Sequence, residues 1–145
     1  MSPARSTRRY ARALLLAAAL VATAWVGVEQ TATADDQPPW DAPARAARKK
    51  NPVPSDDGSI AAGKAVYVKE CLQCHGALGK GDGPASKDLN PKPHDLSAEV
   101  VGKQTDGALF WKLTEGRKPM PSYEKTLTEA QRWQAINFVR TLSKK

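Results

Sequence analysis

The chain has 145 residues, enough for one domain with a leader, and carries 22 Lys and Arg against 15 Asp and Glu for a formal charge of +7. Four of the cations (Arg5, Arg8, Arg9, Arg12) and one acid (Glu29) precede Asp35, so the remainder carries only +4. A charge this mild and interspersed, without a basic stripe interleaved with aromatics, excludes a nucleic-acid-binding surface.

Residues 1–34 read as a secretory signal peptide. The arginines at the start precede an uncharged apolar run from Ala13 to Val28, and Ala32-Thr33-Ala34 meets the small-residue rule for cleavage before Asp35. The run is short beside the ~20 residues of a spanning helix, and an uncleaved N-terminal anchor is the alternative. Residues 35–58 form a basic, Pro-rich linker or strap, with Pro38, Pro39, Pro43, Pro52 and Pro54 favouring extended chain. Within it Ala44–Lys50 looks helical and basic. A solvated spacer is the expected role of this stretch, and docking on an acidic partner or on lipid headgroups is the alternative.

Residues 59–145 form the remaining domain. Ser59 suits an N-cap, and Ile60–Cys71 reads as an amphipathic helix in which Gly63 marks a close approach of another backbone. The helix leads into Cys71-Leu72-Gln73-Cys74-His75, the C-x-x-C-H pattern of covalent haem attachment. One helical turn presents two thiols for the porphyrin vinyl groups and an adjacent imidazole for the iron. No other cysteine exists, so a structural zinc site would have only these three residues and distant His94. A thioredoxin-like motif would require a preceding strand that is absent from the pattern.

Residues 76–93 are rich in Gly and Pro and read as a long ordered loop. Thr105 caps a helix over Asp106–Glu115 that Gly116 ends, and Thr128 with Gln131 forms a capping box for the last helix. Trp133, Ala135, Ile136, Phe138, Val139, Arg140 and Leu142 give that helix a broad apolar face. No strand pattern is present, so the fold class is all-α. Apart from the initiator, Met120 is the only methionine, set between Pro119 and Pro121 in a loop. That is a poor place for core filling and a good one for a rigidly presented thioether, the second axial ligand of a His/Met haem. His94 is the competing ligand, in a turn that reads as solvated.

These features resemble a class I, monohaem c-type cytochrome of the bacterial exported type, over nearly all of residues 59–143. Gly63 and Tyr67 stand eight and four residues before Cys71, where that family packs its first helix on its last. The resemblance implies a small helical domain wrapped around one haem c. Cys71 and Cys74 would be its thioether residues, with His75 and Met120 as iron ligands. It also implies a Gly83-Pro84 turn whose Pro84 carbonyl accepts the other N–H of His75. The implied function is one-electron transfer in the periplasm between a redox protein donor and an acceptor, by a non-enzymatic and monomeric haem domain. The alternatives are a cytochrome subunit tethered to a membrane oxidoreductase complex, and a haem enzyme or gas-binding protein with a displaceable methionine.

Overall fold

The structure, a computed structural model, describes residues 39–143. The segment read as signal peptide or anchor lies outside the described residues, as do the first four residues of the linker. Six α-helices follow in order: α1 (Ala44–Ala47), α2 (Asp57–Glu70), α3 (Leu72–His75), α4 (Glu99–Gly102), α5 (Asp106–Glu115) and α6 (Glu129–Leu142). A 3-10 helix, Pro84–Asp88, lies between α3 and α4. Among the described residues there is no strand, only an isolated bridge between Arg117 and Met120. The fold is all-α.

The first long helix begins earlier than its expected Ser59 cap. Asp56 is the N-cap, and its carboxylate accepts from the Ser59 N–H at 2.7 Å. Ser59, displaced to the third helical position, is buried instead, and its hydroxyl donates to the Pro54 carbonyl at 2.5 Å. A carboxylate cap also suits the partial positive charge of the helix start, which explains why Asp56 takes the role. The other two caps are as expected. Thr105 accepts from Ala108 N–H at 3.1 Å, and Thr128 and Gln131 exchange both bonds of a capping box, at 3.2 and 2.9 Å.

The buried stripe of α2 is Ser59, Gly63 and Tyr67, four residues apart, and it lies on α6. A Cβ on Gly63 would collide with the Gln134 carbonyl, so the two backbones touch there. Tyr67, 1% exposed, packs its ring 5.0 Å from that of Phe138. The core then divides into two clusters. Leu113, Tyr123, Leu127 and Ala135 form one, with Val66 and Met120 against it. Phe110, Trp133 and Ile136 form the other, with Val53 and Leu109. Phe110 and Trp133 stack with centroids 3.9 Å apart.

Two polar residues of α6 belong to this packing. Asn137 accepts from Asn51 at 2.8 Å and donates to Ser59 Oγ and to the Val53 and Pro54 carbonyls. Arg140, expected on the apolar face, instead spreads its guanidinium over Asp106 and the Val101, Gly102 and Gln104 carbonyls. Those carbonyls lie at the C-terminal end of α4, where helix acceptors lack partners, and a forked donor satisfies several at once.

The strap is packed against the domain. Val53 enters the second cluster, and Thr105 Oγ1 donates to the Ala47 carbonyl at 2.7 Å. Lys49 pairs with Glu129 at 2.7 Å and holds its ammonium 4.5 Å from the Phe110 ring centroid. The basic stretch is therefore not a solvated spacer throughout: one of its lysines closes over the aromatic core.

Candidate functional site

The C-terminal end of α2 runs directly into the motif. Cys71 N–H donates to the Tyr67 carbonyl at 2.9 Å, which continues the helical ladder. Cys74 and His75 N–H groups both return to the Cys71 carbonyl, at 3.1 and 2.9 Å. Cys71, Cys74 and His75 therefore share a single turn, as their spacing requires. Two tyrosines hold its ends: Tyr123 donates to the Glu70 carbonyl at 2.8 Å, and Tyr67 to the Gly76 carbonyl at 2.7 Å. Burial raises the pKa of both phenols, so both remain protonated donors.

The loop after α3 folds back on that turn. Gly81 and Gly83 N–H groups donate to the His75 and Cys74 carbonyls, at 2.9 and 3.1 Å. A Cβ at Gly83 would strike the Leu72 and Gln73 carbonyls, so only glycine permits the approach. The backbone at Gly81 lies against Pro93 and His94, which brings the second arm of the loop back to the motif.

His75 Nδ1 is 3.0 Å from the His94 carbonyl oxygen. A carbonyl only accepts, so Nδ1 carries the proton and Nε2 keeps its lone pair. Burial pushes the His75 pKa below its ordinary value, and the bond to His94 opposes that in part. The imidazole is thus neutral with one nitrogen available. This corrects the expectation for Pro84. The acceptor is the His94 carbonyl, because Gly83 is pressed onto the motif backbone and Pro84 opens a 3-10 helix there. The role lies on a main-chain atom, so no side-chain pattern signals it. The imidazole of His94 is exposed.

Cys71 and Cys74 are both free thiols and half-buried. Burial, with Glu70 and Cys74 adding to it, pushes the Cys71 thiol up to about 12. It is therefore protonated near neutral pH and a poor attacker in disulfide formation. Among the described residues no group of three or more His, Cys, Asp or Glu side chains is placed to hold a metal ion.

Met120 lies on a different element. The backbones of Met120 and Arg117 exchange both hydrogen bonds, at 3.0 and 2.9 Å, and form a tight turn between α5 and α6. Its side chain is half-buried against the Leu113, Tyr123, Leu127 and Ala135 cluster. Tyr123, whose N–H donates to the Leu113 carbonyl at 3.1 Å, joins this loop to the motif through its bond to Glu70.

Two uncoupled thiols and a neutral imidazole on one turn form a donor set that fits haem c. Residues 58–139, more than half of the chain, match the family described as Cytochrome C oxidase, cbb3-type, subunit III. The chain belongs to this family. It is a monohaem c-type cytochrome. The cytochrome is 36% identical over 78 residues to cytochrome c6 of Rippkaea orientalis, across 54% of this chain and 66% of that one. A chain of the reducing HAO-like protein complex of Kuenenia stuttgartiensis is similar at 31% identity and a TM-score of 0.54. That likeness covers 63% of this cytochrome and 46% of the other chain. The cytochrome thus spans less than two thirds of the length of either relative.

Proposed function

We propose that the cytochrome is an exported, periplasmic one-electron carrier whose haem c is joined to Cys71 and Cys74 and ligated by His75 and Met120. When bound, haem c supplies an iron that exchanges one electron between its ferrous and ferric states. The polypeptide's part is to keep both ligand atoms in position. The arrangement of His75 carries the reading: Nδ1–H held by the His94 carbonyl at 3.0 Å leaves Nε2 as the donor. Met120 supports it as the second donor, in a turn closed by two backbone bonds and flanked by prolines. A soft thioether favours the ferrous state and a higher potential. With His75 and Met120 both supplying donors, the carrier would need no open iron site. The leader pattern of residues 1–34 and the attachment motif both point to a location outside the cytoplasm.

Absorption spectra and redox titration of the mature holoprotein and of Met120→Ala test this reading. The parent is expected to be low-spin, with the weak long-wavelength ferric band of sulfur–iron ligation. Met120→Ala is expected to lose that band, bind carbon monoxide and titrate at a lower potential. An unchanged spectrum and potential would reject Met120 as a ligand.

A second reading, a cytochrome subunit of a larger oxidoreductase complex, is favoured by the likeness to a chain of a multi-protein assembly and by the family's description. Recovery of the mature protein in a membrane complex, rather than in the periplasmic extract, would put this reading first.

A further inference from the structure

The strap up to residue 57 lies outside the family match, which begins at residue 58, yet one end of it reaches the loop that carries Met120. Trp40 is half-buried, with its ring 6.4 Å from that of Trp111 on α5 and tilted by 60°. The Arg117 guanidinium carbon lies 4.8 Å from the Trp40 centroid, and the Lys112 ammonium 5.6 Å from it. These two cations repel: Arg117 contributes to holding the Lys112 pKa below its ordinary value, after burial, while Asp41 opposes the shift. The strap therefore brings a π face and, at the next residue, a carboxylate to a pair of like charges. Arg117 is also the residue whose backbone exchanges both hydrogen bonds with Met120.

We infer that Trp40 is a positioning residue for the distal ligand: by stacking on Arg117 it braces the Arg117–Met120 turn and slows release of the Met120 thioether. The inference rests on Met120 being that ligand. It gives the strap a task the matched domain does not itself perform, since α1 and the segment to Val53 secure the strap to α5 and α6 while Trp40 acts at its end.

The test is the rate at which carbon monoxide binds the reduced, full-length holoprotein, a step gated by release of the distal ligand. Trp40→Ala is expected to raise that rate about threefold, as the loss of one exposed cation–π contact implies. Trp40→Phe keeps a π face and stays near the parental rate. Arg117→Gln, which leaves Trp40 beside Trp111, gives a similar rise, and the double variant no more than either single change. Val101→Ala, at a buried position on α4 outside the strap, lowers the melting temperature without changing the rate. A parental rate in both Trp40→Ala and Arg117→Gln, or an equal acceleration by Val101→Ala, overturns the proposal. Met120→Ala separates the two readings. If it binds carbon monoxide fastest while Trp40→Ala matches the parent, the ligand stands and Trp40 has no such role. If Met120→Ala binds no faster than the parent, the ligand reading fails and the Trp40 proposal with it.

Discussion

His94 illustrates how a residue can matter through its backbone alone. Its carbonyl holds the proton of His75 Nδ1, while its own imidazole is exposed. Any L-residue in that position supplies the same acceptor. His94→Ala is therefore expected to leave the low-spin spectrum and the reduction potential unchanged; a change in either would mean that the imidazole itself takes part. The contrast with Met120 is direct, because there the side-chain atom is the proposed ligand. Tyr67 and Tyr123 combine the two kinds of contribution. Their rings fill the core, and their hydroxyls hold the main chain on each side of the attachment turn.

At the level of elements, the contact between α2 and α6 orients the whole site, since α2 delivers Cys71 and the loop after it delivers the carbonyl for His75. Gly63 sets that contact. Adding a methyl there gains about 1 kcal/mol of helix propensity. It also drives a carbon into the Gln134 carbonyl, an overpacking that costs about 1–3 kcal/mol and separates the helices. Gly63→Ala is expected to lower the melting temperature of the holoprotein in thermal unfolding followed by circular dichroism. A rise would mean that the helices relax without loss. The caps of α5 and α6 were legible in the sequence because a cap is a local agreement between a side chain and the next turn. The start of α2 was not: Asp56 and Ser59 are both good caps, and burial of Ser59 under Asn137 decides between them.

For the whole molecule, Asn137 is one of the residues that join the strap to the domain, beside Lys49, Val53 and Trp40. It receives the Asn51 amide and donates to Val53, Pro54 and Ser59; of these only Ser59 is buried, and its hydroxyl keeps its bond to the Pro54 carbonyl. Each lost bond of this kind costs about 0.5–1.5 kcal/mol. Asn137→Ala is expected to reduce stability by about 2–4 kcal/mol, which for a domain of this size lowers the melting temperature by roughly 10–25 °C. Guanidinium unfolding of the holoprotein measures it, and a loss below about 1 kcal/mol would show that water replaces the missing bonds. Arg132 is less well provided for. The residue is 8% exposed, its guanidinium carbon lies 5.0 Å from the Phe110 centroid, and its Nε and Nη1 have no hydrogen-bond partner among the described residues. The ring face offsets only part of that cost.

The sequence by itself determined the turn that groups the two thiols with the imidazole, and the presence of the three longer helices. Cys71, Cys74 and His75 lie within one turn, so their spacing alone brings them together, and the all-α class follows from periodicity and capping over short stretches. Tertiary structure decided what depends on residues far apart in the chain. The acceptor for His75 is a backbone atom nineteen positions away, with no side chain to announce it. Prolines led to the expectation of an extended strap but gave no sign of its packing, because what holds Lys49, Asn51 and Val53 is a surface built by α5 and α6. Trp40 reaches Arg117 for the same reason: a local pattern constrains φ and ψ, whereas docking requires a partner that only the folded chain assembles.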